Sequence, residues 1–415
     1  MISSIAIQGF KSFRNLNPFQ LRPLNVLIGP NRSGKTNFLD FLHLLSEAGR
    51  QKLPPAINKR GGVGDVISWS EEQKLAWGLA FEFDVENAPA NETGIYYVAE
   101  IVKKHFSFSV SKETFGPKES FDISKENFTW TVRHPSTNYD QSQRELAIFA
   151  SDSNGVSAHD TFSQIGYQLD NSNLIISQLR DSANFPISAR LRHELTNITV
   201  HRFFDTTPDA PIRNTQPLGM FDADLPPTRL SQGGNNLTNV LYYMQNQPEY
   251  QDYYDEYLLT LQRAFPSLEN LVFPADLGQG KTILAWKDFE FPKRAITANL
   301  LSDGTLRFMC LLAALYDPNP PSLLCIDEPE VGLHPQLVRL LVSVLQEASE
   351  RMQIIVATHS ADLISYLQNA DDVVVVEAEN GWSTLKRLEQ KKLEHWLKDY
   401  SLGELWKSGE IGGRL

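Results

Sequence analysis

Long hydrophobic runs are missing from this sequence of 415 residues. No apolar stretch approaches the roughly 20 residues that a helix needs to cross a bilayer. The first residues, Met1–Ala6, also lack the basic start and long apolar core of a secretory leader. We therefore expect a soluble, cytoplasmic protein with no membrane partner.

Cysteine and positive charge are also scarce. The two cysteines, Cys310 and Cys325, lie inside apolar runs, which favours buried, reduced thiols and excludes a disulfide framework. The formal net charge of −12 excludes a surface that is basic throughout. A local basic patch is compatible with it, so the composition neither indicates nor excludes nucleic-acid binding. Sustained heptads are absent as well, and a long coiled coil is not expected.

The residues that are present indicate a large core and one complete motif. With 41% hydrophobic residues, the chain is expected to divide into two or three structural units. Residues 29–36, GPNRSGKT, form a G-x-x-x-x-G-K-T phosphate loop. Asn25–Ile28 before it is typical of a buried strand, and Phe38, Phe41 and Leu45 after it recur at helical spacing. These flanks disfavour the alternative of a glycine turn in front of a core helix.

This motif predicts binding of a nucleotide phosphate. The loop's backbone N–H groups and the helix N-terminus would surround a phosphate, with Lys35 reaching the β and γ phosphates from an accessible position. The Thr36 hydroxyl would coordinate Mg²⁺. The expected nucleotide-binding residues of this segment are Gly29, Pro30, Asn31, Arg32, Ser33, Gly34, Lys35, Thr36 and Asn37.

Late in the chain, Pro321–Pro329 is a near-continuous apolar strand that ends in two carboxylates, Asp327 and Glu328. Asp327 is the expected second metal ligand beside Thr36, and Glu328 can orient or deprotonate an attacking water. The alternative is a solvated acidic strand end. A second apolar strand, 353–360, carries His359 at its carboxyl end. The predicted catalytic residues are therefore Glu328, His359 and Lys35.

Two helix starts flank the acidic strand. Ser302 is a good N-cap with Gly304 in the first turn, so residues 301–307 form a helix N-terminus able to meet an anion. Pro335 suits the first turn of the helix that follows the strand.

The middle of the chain is predicted from periodicity alone. An antiparallel arm of strands is predicted at Leu75–Val85, Ile95–Val102, His105–Val110 and Phe128–Val132. Helices are predicted at Leu174–Leu195 and Asn236–Phe265. Between them, Asp205–Asn236 is typical of an irregular segment. The Gly278–Thr282 cluster lacks the first glycine of a phosphate loop and predicts a hairpin turn. The loop Gly9–Asn15 could face a nucleotide or cover the sheet edge.

This order of motifs resembles the ABC-type ATPase heads of the SMC and RecF group. It is most similar to stand-alone bacterial AAA-type ATPases that share a head with OLD-family proteins, and the tail from Leu393 to Gly413 also resembles that group. The resemblance covers roughly the first 80 and last 140 residues. It implies an α/β P-loop NTPase with an ABC-type head, a mostly parallel sheet, an antiparallel β arm and an inserted helical lobe. The implied domains are a head at 1–80 and 281–380, an arm at 81–150, a lobe at 151–280 and a helical tail at 381–415.

The resemblance also implies a function. Such heads hydrolyse ATP with Mg²⁺ as homodimers, each nucleotide lying between one subunit's phosphate loop and the other's signature segment. On that basis Ser302 and Gly304 act across the interface, Asn31 and the segment 331–335 contact the partner copy, and His359 senses the γ-phosphate. No OLD-type nuclease domain is expected, so an effector would be encoded separately. Genome maintenance or antiphage defence is the implied setting.

Some residues depart from the family pattern. Asp303 stands where transporter ATPases commonly have glycine, Arg32 replaces a frequent glycine, and no Q-loop glutamine can be assigned. A transporter-type ATPase subunit and a P-loop small-molecule kinase are the alternatives. The missing Q-loop and the roughly 265 residues between Lys35 and Ser302 disfavour the first, and a signature before the acidic strand disfavours the second. Any nucleic-acid contact is expected at local clusters such as Lys103 and Lys104, or Arg180, Arg190 and Arg192.

Overall fold

The computed structural model of the protein describes most of the chain. It covers residues 1–67, 73–82, 94–105, 107–117, 121–123, 130–132, 137–140, 145–146, 170, 172–182, 185–219, 225–276 and 278–412. Residues 83–85 and 128–129, which end and begin two of the predicted strands, lie outside the described residues.

The strands of these residues, in chain order, are β1 (Ile2–Phe10), β2 (Phe13–Gln20), β3 (Leu24–Ile28), β4 (Lys74–Glu82), β5 (Gly94–Lys104), β6 (Ser107–Pro117), β7 (Phe121–Ile123), β8 (Trp130–Val132), β9 (Thr137–Asp140), β10 (Glu145–Leu146), β11 (Ile198–His201), β12 (Gln216–Pro217), β13 (Leu268–Val272), β14 (Ala275–Asp276), β15 (Lys281–Thr282), β16 (Ala285–Asp288), β17 (Ala295–Thr297), β18 (Leu323–Asp327), β19 (Gln353–Ala357), β20 (Val373–Glu379) and β21 (Trp382–Arg387).

The α-helices are α1 (Lys35–Gly49), α2 (Leu53–Lys59), α3 (Val63–Val66), α4 (Ile175–Gln178), α5 (Pro186–Thr196), α6 (Leu237–Asn246), α7 (Gln251–Ala264), α8 (Asp303–Leu315), α9 (Pro335–Ala348), α10 (Ala361–Ser365), α11 (Gln390–Leu393) and α12 (Leu402–Lys407). Short 3-10 helices span Pro211–Arg213, Pro248–Tyr250, Ala298–Leu300, Ala370–Asp372 and Trp396–Lys398. Among the described helices, none is long and apolar enough to cross a membrane.

The chain divides into two compact units. The first contains Met1–Ile198 and Val374–Arg387, and the second contains Thr199–Val373 and Leu388–Gly413. The predicted domain boundaries differ from this division and stay a prediction.

The first unit contains a seven-stranded sheet in the order β10-β9-β6-β5-β4-β1-β2, with antiparallel pairing throughout. The strands predicted at 75–85, 95–102 and 105–110 correspond to β4, β5 and β6 of this sheet. The described part of the strand predicted at 128–132 forms β8, which pairs antiparallel with β7 in a separate sheet. β4 pairs with β1 on one side and with β5 on the other, so the arm strands continue the sheet that β1 and β2 begin. The boundary predicted at residue 80 falls inside β4.

Aromatic rings connect this sheet to α1. Phe10 and Phe41 pack edge to face with ring centroids 5.2 Å apart, and Phe41 contacts Trp77 in the same way at 6.1 Å. Phe13 and Phe38 pack at 5.9 Å. All five rings are fully buried, and burying such large apolar surfaces is the main source of stability for this part of the unit.

The phosphate-loop region of the first unit has the predicted strand, loop and helix. Every residue of β3 is buried, as expected for a strand covered on both faces, and α1 begins at Lys35. β3 lies beside β20, which pairs with β21 in antiparallel register. Residues 382–387 therefore form a strand, although the sequence predicted a helical tail there. The tail's short helices α11 and α12 follow later, in the second unit.

In the second unit, β18 and β19 run parallel, with Asp327 opposite Ala357 at their carboxyl ends. β11 lies on the other side of β18. Because parallel strands end at the same edge of a sheet, the acidic residues after β18 and His359 after β19 share one edge.

The remaining predictions for the middle of the chain are largely confirmed. Residues 236–265 form α6 and α7, and the described part of 205–236, residues 205–219 and 225–236, is irregular apart from one 3-10 turn and the short β12. The predicted helix at 174–195 is interrupted, since α4 ends at Gln178 and α5 begins at Pro186. A hairpin was predicted at Gly278–Thr282, and β14 and β15 pair in antiparallel register on either side of the turn at Gly278–Gly280. Both cysteines are free and buried, and burial raises the pKa of both thiols.

Candidate functional site

The phosphate loop lies between β3 and α1 in the first unit. The Lys35 ammonium donates hydrogen bonds to Gly29 O at 2.7 Å and to Pro30 O at 3.1 Å, which folds the side chain back under the loop. Lys35 is only 5% exposed, so the prediction of an accessible lysine was wrong. The reason is that the loop's own carbonyl groups bind the ammonium. Thr36, Asn31 and Arg32 are exposed, as ligand-binding residues need to be.

Two glycines shape this loop because neighbouring atoms leave no room for a side chain. A Cβ at Gly29 would lie 2.2 Å from the backbone oxygen of Val376, and one at Gly34 would lie 2.1 Å from Ser383 Oγ. Gly34 also has a φ of 114°, which L residues avoid. The loop backbone can thus approach a phosphate closely, as the motif predicts.

Hydroxyl groups from distant segments hold the loop in place. Ser383 Oγ donates to Ser33 O at 2.6 Å and lies 2.7 Å from Ser12 Oγ. Asn37 Nδ2 donates to the same Ser12 hydroxyl at 2.8 Å. Ser12 and Ser383 were missed by the sequence analysis, because no motif connects residues so far apart.

The loop Gly9–Asn15 is the turn between β1 and β2, and its two possible roles can now be separated. Phe10 and Phe13 are fully buried in the core. Lys11 forms an ion pair with Asp40 of α1 at 2.6 Å. Arg14 lies over the ring of Trp382, with its guanidinium carbon 5.5 Å from the ring centroid. The two aromatics are therefore core residues and do not face a nucleotide, which fits a role in covering the sheet better than a role in binding.

The acidic strand end lies in the second unit and contains an unusual backbone. Glu328 has a φ of 48°, in the left-handed region that non-glycine residues rarely occupy. Its N–H donates to Ala357 O at 2.7 Å, which continues the parallel pairing one residue beyond Asp327. The turn directs an exposed carboxylate out of the sheet edge. Strained backbone of this kind clusters at functional sites.

His359 lies beside Glu328, as predicted, with Nε2 3.7 Å from Glu328 Oε1. A residue without a predicted role holds this pair in position. Glu330 Oε1 accepts hydrogen bonds from Thr358 Oγ1 at 2.5 Å and from His359 N at 3.4 Å. Burial raises the pKa of Glu330. The Thr358 hydroxyl and the His359 N–H favour its charged form.

The signature segment, residues 301–307, opens α8 as predicted. Ser302 is exposed and caps the helix by accepting a hydrogen bond from Thr305 N at 3.1 Å. Gly304 lies against the segment 331–335, because a Cβ there would be 2.5 Å from Gly332 O. Arg307 Nη1 also donates to Val331 O, at 3.3 Å. The two segments that were expected to face a partner copy are therefore in contact with each other.

A cavity of about 210 Å³ adjoins the acidic strand end within the second unit. Its lining includes Asp327, Glu328, Arg307, Phe203 and His201. His201 Nδ1 lies 3.2 Å from Gln232 O, and burial lowers the pKa of this histidine to about 4. The imidazole is therefore neutral at physiological pH.

The residues of the phosphate loop fit a nucleotide phosphate. Ser33 Oγ is buried in the phosphate loop without a hydrogen-bond partner among the described residues, and Gly29 and Gly34 leave the backbone accessible to a phosphate. Hydroxyl and carboxylate oxygens such as those of Thr36 and Asp327 are suitable Mg²⁺ ligands. Within the described part of the chain, no three His, Cys, Asp or Glu residues are grouped as an all-protein metal site. Mg²⁺ bound with nucleotide phosphates needs only one or two protein ligands.

The α/β architecture and the phosphate loop between β3 and α1 define a P-loop NTPase fold. Comparison with known families agrees with this class. Residues 1–184 match the family described as "AAA ATPase domain", and residues 229–365 match the one described as "AAA domain, putative AbiEii toxin, Type IV TA system". No curated protein sequence matches the chain significantly.

Solved structures of Smc heads share the fold. One is the Smc head bound to the C-terminal winged-helix domain of ScpA, with 13% identity, a TM-score of 0.52 and coverage of 94% of this chain and 99% of that chain. Another is the Smc head with an extended coiled coil bound to the C-terminal domain of ScpA from Pyrococcus furiosus, with 13% identity, a TM-score of 0.52 and coverage of 96% and 98%. Each family match covers less than half of the chain, and the Smc heads share its fold.

Proposed function

We propose that this protein binds and hydrolyses ATP with Mg²⁺, closes as a homodimer around the nucleotides, and through this cycle switches a separately encoded effector. The family matches support ATPase activity in general terms. The observation that carries the finer proposal is the strained Glu328, whose carboxylate lies 3.7 Å from His359. A backbone strained in this way is costly and is expected where a carboxylate must be aimed at a reacting group.

Each residue has a chemical role in this proposal. Lys35 leaves its loop carbonyls and compensates the charge of the β and γ phosphates, while the loop N–H groups donate to phosphate oxygens. Thr36 and Asp327 would hold Mg²⁺, which would supply positive charge to neutralise the phosphates. Glu328 accepts a proton from the attacking water, and His359 interacts with the γ-phosphate.

Dimer closure is proposed from the exposed groups of the signature helix and its neighbours. Ser302 presents its hydroxyl and the N-terminus of α8, where an anion is stabilised by the helix dipole. Asn31 of the phosphate loop is exposed, and Val331 is 45% exposed although it is apolar. These surfaces suit contact with a second copy whose ATP completes the site.

An effector protein is the proposed partner of the closed dimer. Both Smc heads described above are bound to a domain of a separate protein, ScpA. Antiphage defence or genome maintenance is the proposed setting. A nucleic-acid partner is supported less, since Arg190 forms an ion pair with Glu194 at 3.0 Å and Arg192 donates to Leu179 O.

The test compares wild type with Glu328→Gln by light scattering on a sizing column, with and without Mg-ATP, alongside phosphate release. Glu328→Gln should bind ATP but release phosphate at least about 100-fold more slowly, since it lacks the general base. Its mass should double with Mg-ATP, because persistent ATP holds the pair together. Ser302→Arg should block that doubling, and the exposed Glu350→Gln should behave as wild type.

Two results would contradict the proposal. Wild-type phosphate release by Glu328→Gln would refute the assigned base. A slow Glu328→Gln protein with the same mass in every condition would refute ATP-driven dimerisation. Phosphate release without any added acceptor also separates the ATPase from a small-molecule kinase.

A further inference from the structure

Arg213 is hydrogen-bonded to the backbone that precedes the signature helix. It belongs to the irregular segment 205–236 and is 7% exposed. Its Nη1 donates to three backbone oxygens just before the helix, with the shortest bond, 2.7 Å, to Leu301 O. Its Nε donates to Thr206 O at 2.8 Å. The guanidinium therefore ties the irregular segment to the backbone that precedes Ser302.

The remaining nitrogen, Nη2, forms an ion pair with Asp303 Oδ1 at 2.5 Å. The side chain of Asp303 is 67% exposed, whereas that of Arg213 is 8% exposed. The Asp303 carboxylate thus faces solvent next to Ser302, while the Arg213 guanidinium that pairs with it is buried. Asp303 is also the signature residue that departs from the glycine common in transporter ATPases.

The proposed function, on which this inference rests, would bring Asp303 close to a second negative charge. If Ser302 and the N-terminus of α8 approach the partner copy's γ-phosphate, Asp303 brings a negative charge toward a negatively charged ligand. Like charges brought together at an interface oppose association. In a two-fold dimer the problem occurs twice, because both signature segments face a nucleotide.

We propose that Arg213 is a positioning residue that neutralises Asp303 and so allows the signature helix to accept the partner's triphosphate. A buried guanidinium suits this role because its planar fork can hold the carboxylate and the backbone oxygens together while staying charged. Arg213 does not touch the nucleotide itself. It acts through Asp303 and the backbone before Ser302.

The competing explanation is that Arg213 only fastens the backbone at residues 298–301. The two roles respond differently to removal of the Asp303 charge. If neutralisation matters, Asp303→Asn should rescue a variant that lacks Arg213. If Arg213 is only a structural tie, the lost backbone bonds stay lost and Asp303→Asn rescues nothing. Double-mutant cycles isolate this coupling.

The experiment measures ATP-driven dimer association in the slow Glu328→Gln background. Four proteins form the cycle: Arg213 and Asp303 unchanged, Arg213→Met, Asp303→Asn, and both together. Association is titrated by light scattering in Mg-ATP, and ATP affinity and thermal unfolding are measured for each protein. Arg263→Met, which removes an exposed arginine of α7 in the same unit, is the charge-matched control.

Arg213→Met should weaken association at least about tenfold, and adding Asp303→Asn should restore it to within about threefold. The defect should also shrink at high salt, since screening weakens the exposed charge of Asp303. Arg263→Met should change little. No restoration in the double variant would overturn the proposal.

Asp303→Asn alone keeps the test decisive if Arg213→Met does not fold. Association should then be as tight as, or tighter than, that of the background protein, and weaker association would overturn the proposal. Failure of the Glu328→Gln parent to dimerise with ATP would instead refute the proposed function, so the two failures are distinguishable.

Discussion

Glu328 Oε1 lies 3.7 Å from His359 Nε2 at the shared carboxyl edge of two parallel strands. The contact is set by Glu330, which accepts hydrogen bonds from the Thr358 hydroxyl and the His359 N–H. The acid and the histidine are thus positioned by the residues that follow each strand. The parallel strands bring the two backbones to the same edge of the sheet but do not fix the side chains.

His359→Gln should slow phosphate release about 10-fold to 100-fold while leaving ATP affinity within a few-fold of wild type. The imidazole lies at the carboxylate that handles the attacking water, so its loss should affect the chemical step more than binding. Steady-state phosphate release and nucleotide titration measure the two effects. His395→Gln, an exposed histidine of the second unit, is the control. Loss of ATP affinity with an unchanged rate would contradict this assignment.

The strained backbone of Glu328 predicts that glycine stabilises the protein more than alanine at this position, although alanine is usually the more stabilising of the two. At a φ of 48° an L residue pays about 1–2 kcal/mol that glycine avoids, and this exceeds glycine's entropic cost of roughly 0.5–1 kcal/mol. The free energy of unfolding of Glu328→Gly, measured by denaturant titration, should therefore be about 1 kcal/mol higher than that of Glu328→Ala. Both variants should lose hydrolysis. If alanine is the more stable of the two, the strain is not present in solution.

Gly29→Ala should destabilise the first unit by about 1–3 kcal/mol and abolish tight ATP binding. Its Cβ would lie 2.2 Å from the backbone oxygen of Val376, and backbone yields less readily than a flexible side chain. Thermal unfolding and nucleotide titration provide the measurements. Gly64→Ala in α3 is the matched control, since a Cβ there has nothing within 4 Å and should be neutral or slightly stabilising. Equal effects of the two substitutions would argue against steric exclusion.

The sequence predicted those features whose determinants are local. The strand before Gly29, the helix after it and the Ser302 cap follow from patterns of fewer than about 20 residues, and all are present. Ser383 and Ser12 could not be predicted to hold the loop because they lie 371 positions apart in the chain. Arg213 lies in a segment without periodicity, and its role depends entirely on tertiary contacts. The burial of Lys35 depends on carbonyl groups that any loop sequence carries.

Glu113 provides a prediction about pH in the first unit. This fully buried carboxyl group accepts hydrogen bonds from Ile175 N at 2.6 Å, Ile176 N at 3.2 Å and the Tyr97 hydroxyl at 2.9 Å. Burial nevertheless dominates and raises the pKa of Glu113 to about 7. Because the folded-state pKa is above the unfolded value of about 4.5, the stability linked to this proton is fully present below pH 4.5. It is lost as the pH rises through about 7.

Glu113→Gln should therefore lack the part of the wild-type stability loss that comes from ionisation of Glu113 as the pH rises. A shift from about 4.5 to about 7 corresponds to roughly 3 kcal/mol, so the variant's free energy of unfolding relative to wild type should rise by up to that amount between pH 5 and pH 8. Denaturant unfolding of both proteins across this range measures the difference, in which the titration of all other groups cancels. Glu100→Gln, a partly exposed residue of β5 that pairs with Lys74, should keep the wild-type profile. A difference between Glu113→Gln and wild type that is the same at every pH would show that Glu113 does not titrate in this window.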